Sequence, residues 1–194
     1  MHMTFKTLKQ TVLAFAISLA LPGMAYSAGG GTTTPVAKPS PEMLCMRQGK
    51  VYNKKTKKCE DKKASLDQES IFESGREYAN AGQYEEALSI FALAPDQLDA
   101  RILNMKGFSH RKLGQIEKGM AFYKHSIAVD PTYTLVREYY GEALLQIGDV
   151  AAAQNQLNTI KDICQSDNCE PYQQLFAAIS NYQTGNQNQP VARW

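Results

Sequence analysis

The sequence lacks the residue patterns on which most enzymes depend. Only three histidines occur, and after His2 the next are His110 and His125. Neither glycine fingerprint that cradles nucleotide phosphates is present, and there is no nucleophile elbow and no zinc-protease motif. The chain is therefore predicted to be non-catalytic and to need no cofactor.

Long apolar runs are also scarce, and the one that occurs lies near the N-terminus. It covers residues 11–21 and follows two positive residues, Lys6 and Lys9. Ala25 and Ser27 place small side chains at the −3 and −1 positions of a cleavage site after Ser27. The run is too short for a membrane span, so it predicts a cleaved secretory signal peptide, with a retained anchor as the alternative. No cysteine follows the cleavage zone, which argues against a lipoprotein.

Glycines recur in pairs seven residues apart along the middle of the chain. The pairs are Gly75 with Gly82, Gly107 with Gly114, and Gly141 with Gly148, and a small residue follows each pair at Ala87, Gly119 and Ala153. The intervals between pairs are 32 and 34 residues. Self-similarity at such a period is typical of repeat architectures. The second glycine of each pair suits a turn between two helices, because glycine adopts positive φ without steric cost.

The middle repeat, Ala100 to Tyr133, carries a recognisable signature. It has Leu103, Gly107, His110, Gly114, Gly119, Tyr123 and Pro131 at the characteristic places. The chain thus resembles the tetratricopeptide repeat (TPR) proteins, built from helix–turn–helix units of 34 residues, and among them the small exported TPR proteins of Gram-negative bacteria. The resemblance covers roughly residues 68–167 and implies an all-α solenoid of three repeats.

Small residues at the packing positions of the repeats would let helix backbones approach closely. These positions are Gly75, Ala87, Gly107, Gly119, Gly141 and Ala153, with Phe91, Tyr123 and Leu157 expected to fill the space alongside. His110 occupies a position that is usually aromatic in the family, so a packing role is expected. Pro95 predicts that the second helix of the first repeat ends near Ala94.

The four cysteines, Cys45, Cys59, Cys164 and Cys169, all follow the predicted leader. An even number in an exported chain indicates two disulfides. Of the three pairings, Cys45–Cys59 and Cys164–Cys169 are favoured because each pair flanks a plausible turn. Zinc is the competing interpretation, although these spacings fit no common zinc module.

The predicted organisation follows from these signals. It comprises a signal peptide at 1–27, a disordered Gly/Thr/Pro linker at 28–43, a disulfide-stapled hairpin at 44–63, the TPR domain with a capping helix at 64–184, and a disordered tail at 185–194. The capping helix is predicted to begin near Pro171, with Tyr172, Leu175, Phe176 and Ile179 on one face.

The family resemblance also implies a protein-binding groove on the first helix of each repeat. The positions carried over are Phe72, Arg76, Asn80, Arg101, Asn104, Phe108, Arg111, Lys112, Glu138 and Glu142. The expected function is that of a periplasmic adaptor that holds an envelope protein or peptide in cell-envelope assembly or maintenance. Nucleic acid is not an expected partner of an exported chain, and no transmembrane segment is expected in the mature protein.

Charge is distributed unevenly, which suggests a second hypothesis. Residues 28–63 hold nine basic and three acidic residues, whereas residues 64–194 hold ten basic and sixteen acidic ones. The basic patch of the hairpin comprises Arg47, Lys50, Lys54, Lys55, Lys57 and Lys58. It would bind anionic lipid, lipopolysaccharide or cell-wall polymer, unless it is a solvated run or docks on the acidic domain of the same chain.

Overall fold

The computed structural model describes residues 39–62 and 64–185. The predicted leader, most of the predicted linker and almost all of the predicted tail lie outside the described residues. Within them the elements are α1 (Pro41–Met46), β1 (Val51–Asn53), β2 (Lys58–Glu60), α2 (Gln68–Asn80), α3 (Tyr84–Phe91), α4 (Ala100–Lys112), α5 (Ile116–Val129), α6 (Thr134–Gln146), α7 (Val150–Cys164) and α8 (Glu170–Gln183). Three helix–turn–helix pairs, α2–α3, α4–α5 and α6–α7, followed by α8, confirm the predicted fold class.

Local chemistry explains where the paired helices begin and turn. Three of these helices start at an aspartate whose side chain accepts a backbone N–H, which satisfies one of the donors left open at a helix start. These are Asp67 with Ser70 at 3.0 Å, Asp99 with Arg101 at 2.8 Å, and Asp149 with Ala152 at 3.0 Å. The turns inside the pairs pass through Gly82, Gly114 and Gly148 at φ of +79°, +78° and +80°. The predicted role of these glycines is confirmed.

The first repeat ends its second helix earlier than predicted. Helix α3 stops at Phe91, three residues before Ala94. Pro95 disfavours the helical conformation at the residue before it, so the chain leaves the helix ahead of the proline. The Gln97 side-chain amide then donates to the carbonyl oxygens of Phe91 and Ala94, at 3.1 and 2.7 Å, and satisfies groups that the shortened helix leaves open.

The small residues in the first helices lie against bulky ones. A Cβ atom added to Gly107 would lie 2.6 Å from the Tyr123 ring, and one added to Gly75 would overlap the Phe91 ring. At Gly141 the neighbour is Leu175 of α8, 2.6 Å from the added Cβ, rather than the predicted Leu157. The reason is that α8 packs on both α6 and α7 and takes this space itself.

The N-terminal segment differs from its predicted form. Residues Pro41–Met46, partly assigned to the disordered linker, form helix α1, because the Ser40 hydroxyl accepts the Met43 N–H at 3.1 Å. Strands β1 and β2 pair antiparallel with Tyr52 opposite Cys59, as the hairpin prediction requires. Both local disulfides are present, but Cys45 lies on α1, so the first one joins a helix to a strand.

This segment packs on the first repeat instead of standing apart from it. Val51 is fully buried in one apolar cluster with Ile71 of α2. The backbone N–H groups of Tyr52 and Lys54 donate to the hydroxyls of Ser74 and Ser70, at 3.3 and 2.8 Å. Because the end of a solenoid needs a cap to cover its apolar face, we assign this role to α1 and the hairpin at the start of the array.

The two disulfides should differ in their contribution to stability. Replacing Cys45 and Cys59 with serine is expected to lower the free energy of unfolding by about 3 kcal/mol, because the bond closes a longer loop of the unfolded chain. The same change at Cys164 and Cys169 is expected to cost about 2 kcal/mol, since these residues are five apart rather than fourteen. Urea denaturation of both double variants measures this order, and a larger loss from the second pair would contradict it.

Candidate protein-binding groove

The ten predicted groove residues divide into an accessible set and a buried set. The accessible or half-buried residues are Phe72, Arg76, Asn80, Arg101 and Lys112. The buried residues are Asn104, Phe108, Arg111, Glu138 and Glu142, each at most 8% exposed. In this conformation only the first set can contact a partner. Phe108, which the family resemblance places in the groove, is therefore buried in this conformation.

Phe108 is buried because aromatic rings from other elements cover it. The ring of Tyr139 on α6 lies 5.4 Å from the Phe108 ring, centroid to centroid, and that of Tyr84 on α3 lies at 6.0 Å in an edge contact. The ring thus helps to join the three repeats. Neither Tyr84 nor Tyr139 belongs to the predicted groove, and the pattern of a single repeat gives no signal for contacts between repeats.

Arg111 is part of a buried polar network that links the second and third repeats. Its guanidinium donates to the Glu142 carboxylate at 2.7 Å and to the Tyr123 hydroxyl at 3.2 Å. Its side chain is 2% exposed. Burial alone would lower the pKa of Arg111, but Tyr123 and Glu142 outweigh it and raise that pKa. Arg111 therefore stays charged and serves the packing of α4, α5 and α6.

The accessible residues of α2 and α4 form a mixed aromatic and cationic surface, the α2–α4 patch, defined by Phe72, Arg76 and Arg101. The guanidinium carbon of Arg101 lies 4.5 Å from the centroid of the Phe72 ring, and that of Arg76 lies at 5.9 Å. Both distances suit a cation–π interaction. The patch therefore presents one aromatic ring with two guanidinium groups within 6 Å of its centroid.

Carboxylates hold the arginines of the α2–α4 patch in place. Arg101 donates to Glu69 and Asp99, each at 2.9 Å, and Arg76 pairs with Glu73 on its own helix. The hydrogen bonds that Arg101 donates to Asp99 and to Glu69 raise the pKa of Arg101 despite its partial burial. The positive charge of the patch is therefore balanced, while the Arg76 and Arg101 side chains remain 42% and 39% exposed.

Asn104 lies beside this patch with an unmet hydrogen-bonding group. It is fully buried, and its Nδ2 donates to the Tyr133 hydroxyl at 3.5 Å. Among the described residues its Oδ1 has no hydrogen-bond partner. A buried polar atom without a partner costs roughly 1–3 kcal/mol. Burial raises the pKa of Tyr133, so this phenol stays protonated.

His110 has a structural role in the second repeat. His110 stacks on Phe122, with ring centroids 5.3 Å apart and an angle of 8° between the planes, and its Nδ1 lies 2.8 Å from Gln115 Oε1. The expected packing role of His110 is thereby confirmed.

Over residues 39–62 and 64–185 no group of three or more His, Cys, Asp or Glu residues could hold a metal ion. In the same part of the chain no helix has both the length and the apolar character that crossing a membrane requires.

Comparison with known proteins supports the fold. The model of the tetratricopeptide repeat family matches residues 100–133, the bounds predicted for the middle repeat. No curated protein matches the sequence.

Solved structures resemble the chain at low sequence identity. The Yersinia enterocolitica type III secretion translocator chaperone SycD is 19% identical, with a TM-score of 0.52 over 61% of this chain and 85% of that one. A type III secretion complex from Aeromonas hydrophila is 22% identical, with a TM-score of 0.52 over 62% of this chain and 83% of that one. The TPR2B domain of yeast Sti1, in complex with pHsp70, is 16% identical, with a TM-score of 0.54 over 60% of this chain and 96% of that one. These likenesses establish a TPR fold, which typically serves as a non-catalytic scaffold for protein interactions.

Proposed function

We propose that this TPR chain is a periplasmic adaptor that binds an extended segment of an envelope protein at the α2–α4 patch. The observation that supports this most is the half-buried Phe72 ring with the guanidinium groups of Arg76 and Arg101 close to it. Aromatic and arginine side chains dominate the energetics of protein interfaces. The Sti1 domain, which has the same fold, was solved as a complex with another protein.

The cysteines and the predicted leader support the proposed periplasmic location. All four cysteines of the described residues are in disulfides, and such bonds persist in oxidising compartments such as the bacterial periplasm. The predicted signal peptide would deliver the chain there. We infer a role in envelope assembly or maintenance from the periplasmic location together with the α2–α4 patch.

The chemistry of the patch defines how the partner would be recognised. Because Glu69, Glu73 and Asp99 already pair with the two arginines, net charge contributes little to binding. Recognition would come from contact with the Phe72 ring and from hydrogen bonds to main-chain groups. We therefore expect partner binding to depend only weakly on salt.

Crosslinking inside the exporting cell tests the location of this contact. A photo-reactive amino acid at Asn80 or Lys112, exposed residues at the ends of α2 and α4, is expected to capture one partner protein. The same group at Lys118 or Lys124, exposed on α5, is the control and is expected to capture none. Equal capture from both sets of positions would reject the α2–α4 patch as the binding site.

A substitution of the aromatic ring measures its contribution to affinity. Phe72→Ala is expected to weaken partner binding about 30-fold, because removal of a central aromatic anchor typically costs about 2 kcal/mol. Phe122→Ala is the matched control, since Phe122 is also a half-buried phenylalanine but lies on α5. Isothermal titration with the captured partner compares the two variants. Equal losses of affinity would mean that Phe72 is not an anchor.

A further inference from the structure

Five cationic side chains of the N-terminal cap lie outside its ion pairs. Within the described residues Lys54 and Lys62 are in ion pairs, with Glu69 at 3.8 Å and with Glu86. The other cations of the cap have no carboxylate oxygen within 4.0 Å among the described residues; they are Arg47, Lys50, Lys55, Lys57 and Lys58. All of these except the half-buried Lys50 are exposed. Their charge is therefore open to a partner.

The fold gathers these cations on one small scaffold. The disulfide between Cys45 and Cys59 holds the two Cα atoms 5.2 Å apart, which brings the end of α1, with Arg47, next to Lys58 of β2. The backbone N–H of Lys50 donates to the carbonyl of Cys45 at 3.0 Å. The five cationic residues thus lie on one short segment, residues 47–58, that the crosslink helps to hold in place.

The turn that carries Lys55 and Lys57 is held firmly. The Asn53 side-chain oxygen accepts the N–H groups of Lys55 and Thr56, at 2.9 and 3.1 Å. Glu60 accepts hydrogen bonds from the Thr56 hydroxyl at 2.6 Å and from Asn53 Nδ2 at 2.8 Å, and these bonds lower the pKa of Glu60. Glu60 is therefore occupied in bracing the turn, and Lys55 and Lys57 are both exposed to solvent.

Charge separation along the described chain would orient such a scaffold. Residues 39–62 hold seven basic and three acidic residues, a net charge of +4, whereas residues 64–185 hold nine and sixteen, a net charge of −7. A flat anionic surface attracts the cap and repels the repeats. A small soluble anion would instead need converging donors, and these lysines lie on an exposed turn and strand.

We propose that the cation array of the N-terminal cap binds the phosphate headgroups of an anionic phospholipid surface. Lysine acts there as a point charge, which suits attraction to many headgroups without specificity for one. Leu44, on α1 beside the crosslinked cysteine, is 42% exposed and adds an apolar contact at the interface. Binding at this site does not depend on the α2–α4 patch, so the chain would hold its partner close to a membrane.

Vesicle binding with matched charge removal tests this proposal. The chain from residue 28 onward, which keeps every described residue, is sedimented with vesicles of phosphatidylglycerol and phosphatidylcholine, and with phosphatidylcholine alone. K55Q combined with K57Q is expected to weaken partitioning onto the anionic vesicles about 25-fold, since each lysine near such a surface contributes about fivefold. K118Q combined with K124Q removes the same charge from exposed positions on α5 and is expected to change partitioning less than twofold.

Salt and competing polyanions complete the test. Binding to anionic vesicles is expected to fall steeply between 50 and 300 mM salt, since exposed charges are screened beyond roughly 10 Å at 0.1 M. Equal binding to neutral vesicles, or an equal loss in the α5 control, would overturn the proposal. The proposal would also be overturned if the chain did not bind the anionic vesicles but bound an oligonucleotide or free polyphosphate through the same lysines.

Discussion

Arg111→Ala is expected to lower the free energy of unfolding by about 3–5 kcal/mol. The substitution removes the guanidinium that lies 2.7 Å from Glu142 and leaves that carboxylate buried, 8% exposed, without its cationic neighbour. It also removes the donor to the Tyr123 hydroxyl. Chemical denaturation monitored by circular dichroism measures the loss.

Two control variants separate the buried charge from other effects of this substitution. Arg101→Ala breaks half-exposed ion pairs with Glu69 and Asp99 and is expected to cost no more than about 1 kcal/mol. Arg111→Met combined with Glu142→Leu replaces both charges and is expected to recover most of the stability, because well-packed apolar residues can substitute for a buried pair. A loss from Arg111→Ala no greater than that from Arg101→Ala would show that the network does not join the repeats.

Gly107→Leu is expected to destabilise the chain by about 3 kcal/mol, the upper end of the usual cost of overpacking. A Cβ at this position would lie 2.6 Å from the Tyr123 ring and 3.0 Å from the carbonyl oxygen of Gly119. The ring is fully buried and the carbonyl belongs to a helix backbone, so neither can move away cheaply. Thermal denaturation of the purified variant tests this effect.

The control for this substitution adds the same bulk where space is available. Ala121 is exposed on α5, and Ala121→Leu is expected to change stability by no more than about 0.5 kcal/mol. If both leucine variants melt alike, close contact between α4 and α5 at Gly107 does not govern the packing of the second repeat.

Much of the fold could be predicted because it depends on residues that are close in sequence. The turn at Gly114 and the contact of Gly107 with Tyr123 both lie within one helical hairpin, so a period of small residues reveals them. The bounds of the middle repeat, residues 100–133, agree with those of the family model for the same reason.

Features that depend on contacts between repeats could not be predicted in this way. The burial of Phe108 arises from Tyr84 and Tyr139, which belong to the repeats on either side. Leu175 lies on Gly141 because the capping helix occupies a place that no repeat position specifies. Helix α1 depends on Ser40 and on its crosslink to β2, neither of which the periodicity marks.

This distinction changes how the groove should be tested. A substitution at Phe108 or Arg111 would remove interactions that hold the repeats together, and a loss of binding would then report unfolding. Phe72 and Arg101 are the informative positions, because they are only half-buried on α2 and α4. Lys112, exposed at the end of α4, extends the same test.

The most direct test of the adaptor function is an NMR map of peptide binding. A peptide is first selected from a random library for binding to this chain. It is then titrated into the isotope-labelled chain from residue 28 onward, and the chemical shifts of the backbone amides are followed. The adaptor function predicts that the largest shifts lie at Phe72, Arg76, Asn80, Arg101 and Lys112, and that they persist at 300 mM salt. Shifts confined to α3, α5 and α7, or to the cationic hairpin and abolished by salt, would contradict it.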